Sequence, residues 1–478
     1  MRLLAAAAAW LAILAGGTAV AAPPATAAAA APAAPAAPAT AATLPRIVVT
    51  FANAAHSAPG PAGTTGSHYD GGGYLVGQGA LREAQRVAAA YSLRPVASWP
   101  IQLLSVHCVV FEITNGRPVT EVLAALSKDS RVVLAQPLQE FHSLSDPTTA
   151  AATTAPAATS APAATSAPAA TSAPAANTAP AANTAPAANT AAPPPYNDPL
   201  YDLQTNLSTL GIAKAHERTQ GAGVRIALID TAVDTTHPDL SGRIVRTHSF
   251  VPTPAAGRDA ARHGTAMAGV MAAVANNHVG IVGIAPLAQI EVFEACWQLA
   301  PAQDAAVCNT FTLARALAAA IASGAPLVNL SIAGPPDPLL TALVQAGLKR
   351  GTTFVGAAAD PADGFPTGIS GVITAAASDQ PLPPGALAAP AQHVMTLRPG
   401  GEYDFTSGTS VAAAEITGVL ALLMSASTAH LGSADVLALV RTADAAHSAD
   451  AAVDVNAALA RLVATQSRTA VAARGTQQ

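Results

Sequence analysis

Charge is scarce in this chain: Lys, Arg, Asp and Glu make up 11% of 478 residues, with 23 bases against 28 acids and a formal net charge of −5. A balance so thin supplies no basic face to neutralise a phosphate backbone, so nucleic acid is not an expected partner. Cysteine is nearly absent as well. The three present lack the partners and spacing that a structural zinc or a cysteine nucleophile requires. Beyond the N-terminus no segment offers roughly 18 or more bulky apolar residues in a row, so no later membrane span is expected. The nominal 51% hydrophobic content is inflated by alanine in Pro-rich tracts, and the folded part is smaller than the length suggests.

What is present begins with Met1-Arg2, an apolar run through Leu3, Trp10, Leu11, Ile13 and Leu14, and small residues ending Ala19-Val20-Ala21-Ala22. A basic start, a short apolar stretch and an Ala-x-Ala-like exit predict a signal peptide at 1–22 and export to a secreted or periplasmic location; an uncleaved anchor is the other reading. Export permits disulfides, and Cys296 and Cys308 are close enough in sequence to close a small loop. Cys108 sits in an apolar, strand-like run.

Two tracts cannot build a core. Residues 23–44 are Ala/Pro/Thr low complexity, and residues 146–195 repeat every six positions, with prolines at 162, 168, 174, 180 and 186. A repeat unit without a large apolar residue has nothing to stack, so the second tract reads as an extended, semi-stiff linker. Between the tracts, residues 45–145 form a small α+β unit. Strands are expected at 46–51, 106–113 and 131–134 and helices at 81–91 and 119–126, with a Gly/His-rich insertion at about 56–80.

From 196 to 465, short apolar strands at 224–229, 289–293, 327–331 and 352–355 alternate with helical patterns at 265–275, 314–323 and 339–349. That alternation predicts parallel strands joined by crossover helices, with reactive groups gathered outside the carboxyl edge of the sheet. A tail at 466–478 is expected to lack structure.

Three segments fit such an edge. Asp230 follows the strand Ile226-Ala227-Leu228-Ile229; His263 opens a helix in Arg262-His263-Gly264-Thr265, where Gly264 would leave room for a substrate; and Ser410 begins a small-residue helix in Ser407-Gly408-Thr409-Ser410. A buried carboxylate beside a histidine fixes its tautomer, and a serine at a helix start lies near unpaired N–H groups and the positive end of the macrodipole. Taken singly, Asp230 also reads as a turn residue, His263 as a solvated loop histidine and Ser410 as an N-cap. The three in one chain in this order are another matter.

With Ile229-Asp230-Thr231-Ala232-Val233-Asp234, His237-Pro238-Asp239-Leu240, His263-Gly264-Thr265-Ala266-Met267-Ala268-Gly269, Gly280-Ile281-Val282-Gly283-Ile284-Ala285-Pro286 and Ser407-Gly408-Thr409-Ser410, residues 221–425 resemble the subtilisin family. The resemblance implies an α/β fold with a doubly wound, mainly parallel sheet and helices on both faces, preceded by a small α+β, ferredoxin-like propeptide domain. It implies a serine endopeptidase acting on polypeptide substrates, with Ser410 as nucleophile, His263 as base and Asp230 orienting it. His237 would be structural, and Ser331, Ile332, Ala333 and Gly334 would pair with extended substrate. The unit at 45–145 would be the chain's own partner, folding aid and active-site block; a permanent binding domain is the alternative.

Departures from the family pattern matter at one position. The second oxyanion donor, an asparagine in the family, is matched by Asp360 at the end of Val355-Gly356-Ala357-Ala358-Ala359-Asp360. An ionised carboxylate there would repel the oxyanion, and losing such a donor costs about 10²–10³ in turnover. Burial would hold Asp360 protonated and donating, as in the related sedolisin peptidases, which use an aspartate in this role and work in acid; an acid-favouring enzyme is therefore expected. A catalytically impaired relative acting as a binding or chaperone module is the alternative. Ala266 and Ala414 also replace a usual histidine and proline, at positions that donate no catalytic group. An esterase or lipase would show Gly-x-Ser-x-Gly, whereas Ser410 is followed by Val411-Ala412. No cofactor is implied; calcium is possible at loops such as 198–202 and 360–363, without a specific motif.

Overall fold

The computed structural model describes residues 44–53, 77–145, 195–252, 258–298, 305–360, 363–441 and 452–475. The expected signal peptide, nearly all of the two Ala/Pro tracts and most of the Gly/His-rich insertion lie outside them. The N-terminal unit runs β1 (Arg46–Ala52), α1 (Gln78–Tyr91), β2 (Leu93–Ile101), β3 (Val106–Ile113), α2 (Val119–Leu126) and β4 (Leu134–Pro137). Its antiparallel sheet has the order β2-β3-β1-β4, a ferredoxin-like arrangement. Strand β2 was not legible in the sequence, because Pro95 and Pro100 argue against a strand; the structure tolerates them by placing β2 at the sheet edge, with a register break between Pro95 and Ala97. The last strand begins at Leu134, where it was expected to end.

Strand β3 is buried along its whole length, because both faces of this sheet are covered. Ile47, Val49, Phe51, Val109 and Phe111 face α1 and α2 with Val87 and Val122, whereas Val48, Cys108 and Val110 share a core with residues of the C-terminal domain. The period-2 alternation of a strand makes this division possible.

The C-terminal domain follows β5 (Glu140–Ser143). It begins with α3 (Thr205–Leu210), α4 (Ile212–His216), β6 (Arg225–Asp230), β7 (Ile244–Ser249), α5 (Arg262–Ala272), β8 (Gln289–Glu294), β9 (Cys296–Gln298) and β10 (Ala306–Asn309). Then come α6 (Thr310–Ser323), β11 (Leu327–Leu330), β12 (Ile332–Ala333), α7 (Pro338–Lys349), β13 (Thr353–Ala357), β14 (Ile373–Ala377) and β15 (Leu387–Ala389). The hairpin β16 (Val394–Arg398) and β17 (Glu402–Thr406) leads to α8 (Thr409–Ala426), α9 (Ser433–Val440) and α10 (Val455–Gly475). The tail is thus helical as far as Gly475, a correction to the expectation of no structure from 466 and to the domain end at 465.

Seven parallel strands in the order β15-β14-β13-β11-β6-β8-β7 form the central sheet. In β6, Ile226 and Leu228 join the core that contains α5 and α8, and Ala227 and Ile229 join the core that contains α6 and α7. With both faces covered, such strands read as unbroken apolar runs, which is why the sequence reveals them. Among the described residues, α8 is the one helix long and apolar enough to cross a membrane, and 78% of it is buried inside the fold. It is the central helix of this core.

Helices α6 and α7 also receive the N-terminal unit. Trp99 of β2 meets Phe311 edge to face at 4.7 Å, and the Leu339 N–H at the start of α7 donates to Gln136 Oε1 at 3.1 Å. Cys296 and Cys308 stand opposite each other on antiparallel β9 and β10 and are joined by a disulfide.

Candidate active site

Asp230 is the last residue of β6 and His263 the second residue of α5; each is 1% exposed. His263 Nδ1 lies 2.7 and 2.9 Å from the two carboxylate oxygens of Asp230. The carboxylate is held in turn by the Thr231 N–H, which donates to Oδ1 at 2.6 Å. An N–H at Nδ1 directed to a carboxylate leaves Nε2 as the basic nitrogen of the neutral ring. Gly264 does not make room for substrate, contrary to the expectation. A Cβ there would lie 2.5 Å from the Ala232 carbonyl oxygen and 2.8 Å from that of Thr231, so its space belongs to the loop after β6, whose Thr231 Oγ1 accepts the Gly264 N–H at 2.9 Å. The glycine lets the helix carrying His263 close onto the strand carrying Asp230.

Ser410 is the second residue of α8 and fully buried. Gly408 just ahead has φ 123°, a conformation open to glycine and costly for other residues, and its N–H donates to Ala391 O. Helices α5 and α8, which carry His263 and Ser410, pack against each other. Ser410 Oγ donates to the Ser331 carbonyl at 3.1 Å and accepts the Leu144 N–H at 3.0 Å, while the Ser410 N–H donates to the Leu144 carbonyl at 3.3 Å.

Leu144 belongs to a segment that sequence reasoning did not single out. Strand β5 is an inner strand of a second sheet, of order β12-β5-β10-β9. It pairs antiparallel with β12, Ser143 opposite Ile332 and His142 opposite Ala333, and with β10, His142 opposite Val307. Phe141 is fully buried against Phe365, with ring centres 5.3 Å apart. Of the four residues expected to pair with an extended chain, Ile332 and Ala333 do so here. Ser331 instead bonds Ser410, and Gly334 bridges Phe365. A Cβ on Gly334 would lie 2.5 Å from the Phe141 ring, so its missing side chain makes the room that Phe141 fills.

Beside Leu144 is a cavity of about 370 Å³, lined in part by Ser145, Ala358, Asp360, Gly408 and Thr409. Asp360 thus lines the same cavity as Leu144 and Ser145. It is exposed, which removes the burial expected to keep it protonated; it follows the end of β13, where the chain leaves the sheet for solvent. Ala266 and Ala414 are buried, and the Ala266 carbonyl accepts the Thr396 hydroxyl at 2.6 Å.

His237 is a structural link. Its Nδ1 accepts the Asp239 N–H at 3.2 Å, its Nε2 lies 3.1 Å from Glu402 O, and burial pushes its pKa below the usual histidine value. Asp198, in one of the loops with oxygen ligands, accepts the N–H groups of Asn276 and Asn277. Among the described residues no group of three or more His, Cys, Asp or Glu is placed to hold a metal ion. Glu415 is a buried acid that sequence reasoning missed, although an acid in the apolar run Val411–Leu423 was a signal. It is fully buried in α8, accepts the Asn206 amide at 2.8 Å, and burial holds its pKa well above the usual glutamate range.

The family model described as the subtilase family matches residues 221–458. Thermitase of Thermoactinomyces vulgaris is 31% identical over 243 residues, covering 48% of this chain and 85% of that protein. Subtilisin Savinase of Lederbergia lenta is 30% identical over 231 residues, covering 45% of this chain and 82% of that protein. Among solved structures, fervidolysin from Fervidobacterium pennivorans matches with a TM-score of 0.60 and 19% identity. That alignment covers 87% of this chain and 61% of fervidolysin, and it speaks to the fold.

Proposed function

The chain belongs to the subtilase family of serine-type endopeptidases, and we propose that it cleaves polypeptides through an acyl-enzyme on Ser410, its own residues 45–145 being the first substrate and then a bound inhibitor. In this reading His263 accepts the Ser410 Oγ proton as Oγ bonds the scissile carbonyl carbon. The C–N bond then breaks with the proton passing from His263 to the leaving nitrogen, and water hydrolyses the ester by the same steps in reverse roles. Asp230 orients His263 and stabilises the imidazolium.

The observation that carries the reading is the seating of Leu144 on Ser410. The peptide carbonyl accepts a hydrogen bond from the N–H of the residue that attacks it, the geometry that stabilises a developing oxyanion. The segment before it runs as an extended strand between β12 and β10, as peptide recognition by strand addition requires. Both point to Leu144–Ser145 as the bond cleaved. Export is supported by the residues at 1–22 and by the Cys296–Cys308 disulfide, a bond that persists in oxidising compartments.

An acid-favouring enzyme remains part of this reading only through the chemistry of Asp360, which lines the same cavity as Leu144 and Ser145 and donates a hydrogen bond only when protonated; its exposure does not favour that state. The same residue favours the second reading, a chain in which the cleft binds residues 140–144 and turnover is negligible. Incubating the full chain with a fluorophosphonate separates the two. Labelling lost in Ser410→Ala, together with release of a fragment ending at Leu144, is expected; no labelling at any pH from 4 to 9 would leave the binding reading.

A further inference from the structure

We infer that Asn329 and Thr417 are positioning residues for Ser410, acting through Ser331; the inference rests on Ser410 being the nucleophile. Ser331 and Ser410 exchange two hydrogen bonds. Ser410 Oγ donates to the Ser331 carbonyl and the Ser331 hydroxyl reaches the Ser410 carbonyl, both at 3.1 Å. The Ser331 hydroxyl is also 2.9 Å from Asn329 Oδ1, and having one proton it gives it to one of the two acceptors at a time. Asn329 Nδ2 donates to Thr417 Oγ1 at 2.9 Å, and the Thr417 hydroxyl donates to the Ala413 carbonyl at 2.7 Å, one turn back along α8. Ser331, Asn329, Thr417 and Ser410 are all fully buried.

This chain of bonds joins β11 and the residue after it to the first three turns of α8 at two heights, Ser410 and Thr417. Apolar side chains would fill the same volume without the cost of desolvating three polar groups, so packing alone does not explain them. What the polar chain adds is direction. Asn329 can turn its oxygen to Ser331 only while its amide stays on Thr417, which fixes both ends of the Asn side chain. Ser331 is then held with its carbonyl 3.1 Å from Ser410 Oγ; this contact fixes where the oxygen sits, and the hydroxyl proton has to turn from it to His263 for attack. Loss of the Thr417 hydroxyl frees the Asn329 amide, lets Ser331 turn, and loosens Ser410 without touching the strand pairing of Ile332 and Ala333.

The test compares the full chain with Thr417→Val, which keeps the shape and removes the hydroxyl, and Thr417→Ser, which keeps the hydroxyl. The rate of fluorophosphonate labelling reads the reactivity of Ser410, and kcat and KM on an extended peptide separate attack from binding. About a tenfold fall in labelling rate and in kcat is expected for Thr417→Val, with KM within about twofold of wild type and most of the loss recovered in Thr417→Ser. Ser331→Ala, which keeps the carbonyl, should show the same split and serves if Thr417→Val does not fold. Wild-type labelling rates in folded Thr417→Val and Ser331→Ala, with only a lower Tm, would overturn the inference. A wild-type chain that does not label at all would instead remove the nucleophile on which it rests.

Discussion

Leu144 and Ser410 hold each other by two hydrogen bonds, Leu144 N–H to Ser410 Oγ at 3.0 Å and Ser410 N–H to the Leu144 carbonyl at 3.3 Å. The residues are 266 positions apart, and the bonds place one peptide of the chain on the group proposed to attack it. Self-processing follows. The purified chain should yield a C-terminal piece whose N-terminal residue is Ser145, read by terminal sequencing or intact mass. Ser410→Ala should stay whole. A stable cut elsewhere in 140–195, with Leu144–Ser145 intact, would show that the seated bond is not the one hydrolysed.

The N-terminal unit should outlast its own cleavage, and Phe141 should decide for how long. A fully buried phenylalanine replaced by alanine typically costs about 3–5 kcal/mol, and the Phe141 ring is anchored against Phe365 in the space that Gly334 leaves open. Phe141→Ala should therefore shorten the lag between cleavage and full peptidase activity by tenfold or more. Gly334→Ala attacks the same contact from the other side, because its Cβ would meet the Phe141 ring at 2.5 Å. If both variants keep the wild-type lag, the grip lies in the contacts of β2 and β4 with α6 and α7 instead.

The mature fold should lose stability as pH rises, through Glu415. Its folded-state pKa is raised by burial, so the folded state keeps the proton at pH values where the unfolded chain has released it. The contribution is fully present below the ordinary glutamate range and is lost progressively as pH climbs from there toward the folded value. Glu415→Gln removes the titration and can still accept the Asn206 amide. Unfolding midpoints from pH 4 to 9 should fall less steeply for Glu415→Gln than for wild type; parallel curves would show that Glu415 does not carry this dependence.

The peptidase domain was legible because its strands are buried on both faces and its reactive residues sit at strand and helix ends, where local sequence marks them. Asp230 closes an apolar run, and Ser410 opens a helix after a glycine that needs positive φ. Strand β5 was not legible, because Glu140-Phe141-His142-Ser143 is short and mostly polar. What makes it a strand is pairing with Val307 and Ile332, far along the chain. Strand β2 was hidden by its prolines, and the role of Gly264 by the fact that its neighbour, the loop at 231–232, lies 32 residues earlier. The misses at β5 and Gly264 are contacts between segments distant in sequence, which no local pattern encodes, whereas β2 was masked by residues of its own.

The acid preference turns on Asp360, and its sign can be worked out from the chemistry. Asp360 lines the cavity that Leu144 and Ser145 line; at the proposed oxyanion position a protonated carboxyl would add a donor and an ionised one a repulsive charge. An amide in place of the carboxyl donates at every pH. Asp360→Asn should thus raise kcat/KM at neutral pH, by about 10²–10³ if this donor matters as much as a typical oxyanion-hole side chain. A variant with unchanged kcat/KM at pH 7 would place Asp360 outside the oxyanion site and remove the reason to expect an acid optimum.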